Sequence, residues 1–264
     1  MTKHLRTVKA NAGIEADYRR RMIRLIEEMS NSVVHWISRT YRASPPAMLA
    51  QDDLSANDLR RELNRLIRQW QTRFDAMAPR MAEHFAQAAN KRSEASLKKI
   101  FRDGGLTIGK FRPTRAQRDV LKAAIHENVS LIKSIPERYF TQVETLVYQS
   151  VARGGRLDQL AKDLQKQYGV TKRRAALIAR DQNHKVTSAL THSRYDSVGI
   201  SEAIWVHSSA GHEPRPTHVK AGRDKVRYNV REGWYDPAVK QKIFPGQLIN
   251  CRCQSTPVVV GFNA

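Results

Sequence analysis

Apolar residues recur at intervals of three and four from residue 18 to about residue 197, and after Gly199 that period stops. A chain patterned this way builds helices first and something else last. Over 18–41 the stripe is Met22, Leu25, Ile26, Met29, Val33, Trp36 and Ile37. Over 59–85 it is Leu59, Leu63, Leu66, Trp70, Phe74, Met77, Met81 and Phe85, wide enough to require a helical partner. Ser55 with Asp58, and Thr114 with Gln117, have the spacing of capping boxes. Pro45-Pro46 ends the first helix, Pro79 should kink the second, and Pro136 should split 115–153 into two. Asp103-Gly104-Gly105, Gly109 and the interleaved Lys and Arg make 90–112 a loop or short hairpin. Gly154-Gly155 ends the next segment, and Gly169 is expected to close a short helix begun at 157. Thr171 then caps a helix over 172–197.

After Gly199 the segments 203–207, 225–230 and 255–260 are short, β-branched or aromatic, and bounded by Gly, Pro and Asn, so they read as strands. The fold class is therefore α+β. An elongated, mostly helical N-terminal region precedes a small mixed α+β C-terminal domain. The expected divisions are a flexible basic arm over 1–17, a helical region over 18–155 and a domain over 156–264.

Charge narrows the function. The chain has 264 residues and a formal net charge of +21. Such a balance points to a polyanionic partner, above all double-stranded DNA bound without sequence preference. The competing account is that basic side chains merely solvate long helices. No apolar run reaches the length of a membrane span, and no signal-peptide pattern opens the sequence. Two cysteines one residue apart are a poor disulfide framework, which favours a reducing compartment and synthesis in the cytoplasm.

Those cysteines, Cys251 and Cys253, carry the most specific chemistry. A Cys-x-Cys pair can hand two thiols to one metal ion. Zinc requires four ligands, and His218 with His212 would complete a Cys2His2 set. The competing reading is two reduced, buried thiols with His218 hydrogen-bonded nearby. A catalytic reading also exists. His212, Glu213, Arg215 and His218 have the make-up of an acid/base site or a phosphate clamp. On the preceding helix Arg180, His184, Thr187, Thr191 and Arg194 share a face that would meet them. Against it, the sequence has no carboxylate pair at metal-binding spacing and no glycine-rich phosphate loop. A hydrogen-bonded helix face explains the stripe equally well.

Arg180-Asp181-Gln182, Trp205 in its strand, Pro214-Arg215-Pro216-Thr217-His218, Gly222, Phe244-Pro245-Gly246 and Asn250-Cys251-Arg252-Cys253 together resemble the phage Mu F-like minor head proteins, or phage head morphogenesis proteins. The resemblance covers roughly 150–260. Many members carry an acidic residue and an Arg ahead of the histidine where this chain has Gly211-His212-Glu213-Pro214. The resemblance implies a non-enzymatic minor capsid protein of a tailed bacteriophage, located in the virion head. It would contact the portal or inner capsid proteins during assembly and travel with the DNA. The alternative is a nucleic-acid-cleaving or toxin-like C-terminal enzyme domain carried by a packaging adaptor. The polar stripe discriminates: convergence in a cleft favours the enzyme, internal hydrogen bonding the structural protein.

Overall fold

Four long helices carry the chain to Ser197: α1 (Ala12–Ala43), α2 (Asp53–Asp103), α3 (Arg115–Ala152) and α4 (Leu157–Ser197). They belong to a computed structural model that describes residues 5–43, 53–106, 113–153, 156–209 and 213–259. The side chain of Ser55, and residues 44–46, Ile108, Gly109, Phe111, Gly154, Gly155 and His212, lie outside what is described. Beyond α4 come β1 (Glu202–Val206), α5 (Pro216–Arg223), β2 (Arg227–Asn229), β3 (Trp234–Asp236), β4 (Gln241–Ile243) and β5 (Gln254–Pro257). The α+β class holds, with the four long helices before the strands.

The helices are fewer and longer than the sequence predicts. α4 runs unbroken through Gly169, and Thr171 bonds back to the Gln167 carbonyl (2.9 Å) rather than capping a new helix. α3 likewise runs through Pro136. An interior glycine costs about 1 kcal/mol and an interior proline about 3 kcal/mol. Burial outweighs both. Ile132, Ile135, Tyr139, Phe140 and Val143 form one covered face across Pro136, and Leu160, Leu164, Ala175 and Ile178 do so across Gly169. Each such Ile, Leu, Val or Phe side chain is worth roughly 1.5–3 kcal/mol when buried. The expected loop over 90–103 is also helical, because Leu97 and Phe101 are core residues. Met77, placed in the apolar stripe by spacing, is 40% exposed.

The predicted ends fare better. Gln117 N–H donates to Thr114 Oγ1 (3.2 Å) and Thr114 N–H to Gln117 Oε1 (3.4 Å), a reciprocal capping box. Gly199 (φ 79°), read as a stop, ends α4 in a left-handed conformation, and Gly105 (φ 81°), placed inside the expected loop, ends α2 in the same way. Each is followed by a closing bond, Leu106 N–H to Phe101 O (2.8 Å) and Ile200 N–H to Tyr195 O (2.9 Å).

Contacts group the chain into two units that are not consecutive in sequence. Unit 1 comprises Met1–Ala16, Glu83–His126 and Ala179–Ala264; unit 2 comprises Asp17–Ala82 and Glu127–Ile178. The expected split between 155 and 156 followed the change of hydrophobic period, whereas the contacts divide α2, α3 and α4 partway along their length.

Unit 2 is a helical bundle. Tyr18 donates to Asn128 Oδ1 (2.9 Å), Tyr139 to Ser30 Oγ (3.4 Å), and Tyr41 meets Ser150 (3.4 Å). The paired numbers rise together, so α1 and α3 run in the same direction. Arg73 pairs with Glu28, and the Arg65 guanidinium lies over Trp36 at 5.0 Å, so α2 runs opposite to α1. Tyr18 and Tyr139 titrate late through burial, Tyr139 being pushed up to about 12.

Unit 1 holds the strands. β1 is central in an antiparallel sheet of order β2-β1-β5, and β3 pairs with β4. The β1–β5 register sets Trp205 opposite Ser255 and Val206 opposite Gln254. The core gathers Trp205, Tyr195, Tyr228, Phe101, Ile243 and both cysteines. Leu5 and Val8 lie in it as well, at 5% and 6% exposure. The expected arm over 1–17 is therefore corrected for residues 5–17. Two apolar side chains three apart tether 5–11, and Asn11 Oδ1 caps α1 by accepting the Ile14 N–H (3.1 Å).

Candidate metal centre

The motif fragments singled out in the sequence meet around one loop, residues 244–253. Asn250 adopts φ 60°, and its N–H donates to Asp181 Oδ1 at 2.7 Å. Its side-chain oxygen accepts from Arg180 (3.4 Å), and Arg215 donates to the Ile249 carbonyl at 3.0 Å. Ser188 holds the Pro245 carbonyl. Gly246 sits at φ 83°, a conformation open to glycine at little cost, and from there its N–H points at Cys251 Sγ (3.4 Å). The α4 face thus clamps the loop, and the loop turns its thiols inward.

Three side chains converge on that point. His218, Cys251 and Cys253 present ligand atoms within 4.8 Å of one another, and all three are buried. His218 Nδ1 stands 3.4 Å from Cys251 Sγ and 3.8 Å from Cys253 Sγ. α5 supplies His218: Pro216 opens that helix, where its missing N–H costs nothing. Trp205 packs edge-on against the imidazole, ring centres 4.9 Å apart. The other ring nitrogen, Nε2, lies 3.3 Å from Asp236 Oδ2, and the Asp236 side chain is fully buried. His207 Nδ1 is 3.6 Å from Cys253 Sγ. Of the four residues expected to ligate, the structure brings together His218, Cys251 and Cys253, while His212 lies outside the described residues.

The two thiols differ electrostatically. The hydrogen bond from Cys253 lowers the Cys251 pKa, helped by His218 and the Gly246 N–H and opposed by burial. The same bond, burial and the charge on Cys251 push Cys253 up. Two thiolates side by side repel each other, and a cation between them would hold both ionised.

Part of the polar stripe on α4 is engaged in internal bonds. Thr191 Oγ1 donates to the Thr187 carbonyl (2.7 Å), and Arg194, 2% exposed, donates to Ser93 Oγ (2.7 Å) and the Asn90 carbonyl (3.1 Å). The cavity that His184, Thr187 and Thr191 help to line measures about 20 Å³, room for roughly one water.

Sequence reasoning missed a buried network beside this stripe. His192 Nδ1 donates to the Ser188 carbonyl (2.9 Å), which leaves Nε2 as an acceptor facing Tyr228 Oη (2.7 Å) and Ser255 Oγ (2.9 Å). Tyr228 and Ser255 also bond each other at 2.7 Å. Burial pushes His192 down from 6.5 to about 4, with the Ser188 bond opposing. Below pH 6.5 the unfolded chain takes up a proton that the folded chain refuses until about pH 4. Stability is therefore whole above pH 6.5 and should fall by about 3 kcal/mol on acidification to pH 4. Urea midpoints measured across that window should show the loss, and His192→Gln should flatten it. An equally steep profile in the variant would assign the loss to other groups.

Comparison with known proteins places this geometry in context. Residues 141–256 match the family described as "Phage Mu protein F like protein", in agreement with the resemblance carried by the motifs. A Haemophilus influenzae (strain ATCC 51907 / DSM 11121 / KW20 / Rd) protein, described as uncharacterized, is 26% identical over 265 aligned residues. The alignment covers 97% of this chain and 56% of that protein, so the chain spans about half the length of this relative. No solved structure matches.

Proposed function

We propose that this chain is a minor head protein of a tailed phage. It would act in head morphogenesis beside the portal or inner capsid proteins and contact packaged double-stranded DNA without reading its sequence. The observation that carries the proposal is the Mu F-like match over 141–256, within which Arg180, Asp181, Arg215 and Asn250 build one loop. The net charge of +21 supports the DNA contact. So do exposed arginines on unit 2, among them Arg19 and Arg24 on α1 and Arg68 on α2. Among the described residues no helix is long and apolar enough to cross a membrane. The bonding of Thr191 and Arg194 into the fold supports a structural over a nucleic-acid-cleaving role. We read the Cys251–Cys253–His218 cluster as a structural zinc centre that fixes the loop.

Mass spectrometry of purified particles beside empty procapsids tests the assignment, and the protein should be found in the filled head. Its absence from both would overturn the reading. DNA binding should weaken by about three decades between 50 and 200 mM salt if six or more phosphates are neutralised. Affinity that stays flat with salt would remove the DNA contact from the proposal.

A further inference from the structure

We propose that His207 is the fourth ligand of a closed zinc site formed with His218, Cys251 and Cys253, and that Asp236 orients the His218 imidazole from behind. The proposal rests on reading the cysteine pair as metal ligands and adds the two residues that decide what kind of site it is. A tetrahedral ion with Zn–S near 2.3 Å and Zn–N near 2.0–2.1 Å sets sulfur and nitrogen about 3.6 Å apart. The His218 Nδ1 to sulfur distances are 3.4 and 3.8 Å, and His207 Nδ1 to Cys253 Sγ is 3.6 Å. All three lie within about 0.2 Å of that tetrahedral edge.

His207 reaches this place through strand register. Val206, the last residue of β1, pairs with Gln254, so the next residue on each strand, His207 and Cys253, run on side by side. Behind His207 stands Gly222 of α5. A Cβ there would come within 2.8 Å of the His207 backbone nitrogen, so only glycine allows the helix so close. His207 is half-buried where the other three side chains are buried, and it stands just outside the set whose ligand atoms lie within 4.8 Å of one another, so its imidazole must turn inward to close the tetrahedron. Without it the fourth position would fall to water, the arrangement of a catalytic zinc; with it the site is closed and structural.

Asp236 supplies the independent observation. Its Oδ1 accepts the Ala238 N–H (3.0 Å), while Oδ2 and His218 Nε2 face each other at 3.3 Å with no other hydrogen-bond partner. A buried carboxylate behind an imidazole whose other nitrogen points at two sulfurs is the outer-shell pattern of metal-bound histidine. There the carboxylate holds the Nε2–H tautomer and leaves Nδ1 free to ligate.

X-ray absorption at the zinc edge, on the full chain loaded with zinc, reads the ligand set directly. We expect one zinc per chain with two sulfur and two imidazole neighbours. His212→Ala should keep that set, and His207→Ala should replace one imidazole by oxygen. Asp236→Asn should lower zinc affinity about 10–100-fold, and His207→Ala by more. Two sulfurs with one imidazole in the parent, or unchanged affinity in His207→Ala, would overturn the His207 assignment and leave the metal reading standing. Loss of an imidazole in His212→Ala would move the ligand there. A parent chain that takes up no zinc from excess would end the metal reading itself. If His207→Ala does not fold, the parent and His212→Ala spectra still decide.

Discussion

Cys251→Ser is expected to unfold the strand region of unit 1 at temperatures where the parent chain is intact. A structural zinc supplies on the order of 10 kcal/mol of folding free energy, because the unfolded chain offers no preformed site. That is comparable with the whole net stability of an ordinary domain, about 5–15 kcal/mol. The region has little to fall back on. β2, β3 and β4 are three residues each, and the loop that carries the thiols contains no regular structure between Phe244 and β5. Chelator added to the parent should produce the same loss, read as a lower melting midpoint and as faster amide exchange across 202–257. If the thiols were only packed, the serine would cost about 1–3 kcal/mol through a poorly paired buried hydroxyl, and chelator would change nothing. Arg252→Ala serves as control and should leave the zinc content unaltered. Identical melting curves with and without chelator would exclude the metal.

Arg194→Ala should cost about 3–5 kcal/mol, the largest effect expected of any α4 side chain outside the cysteine loop. Arg194 is 2% exposed. Its guanidinium donates to Ser93, to both oxygens of Asn90 and to the Leu190 carbonyl, with Glu94 at 4.0 Å. Burial pulls its pKa below the ordinary arginine value and Glu94 opposes that pull. Truncation would leave the Asn90 carbonyl and Ser93 hydroxyl buried without their donor and open a cavity between α2 and α4 within unit 1. Arg194→Lys keeps the charge but loses the fork, so it should recover only part of the stability. Arg194→Met fills the space without any donor and should fall between alanine and the parent. Urea unfolding midpoints rank the series; a loss below about 1 kcal/mol in the alanine variant would show that water replaces the guanidinium.

Much of this protein was legible in its sequence where the signal is local. The three-and-four period determined that most of the described residues between 18 and 197 are helical, since an apolar face must be buried whatever it meets. Thr114 with Gln117, and the glycine at 199, determined helix ends because capping and left-handed conformation depend on a few adjacent residues. The pair Cys251 and Cys253, with His218, was recognisable from residue type alone. Tertiary structure decided the rest. Pro136, Gly169 and the 90–103 segment read as breaks, yet burial on both sides of each outweighs a local penalty of about 1–3 kcal/mol. The units interleave because contacts, not the order of residues, define them. His207 carries no motif of its own and comes beside Cys253 only when β1 and β5 pair in register. Asp236 arrives behind His218 from a three-residue strand that no local pattern announces. Residue type told which groups are able to bind a metal; strand register and the close approach of α5 at Gly222 decided which of them meet.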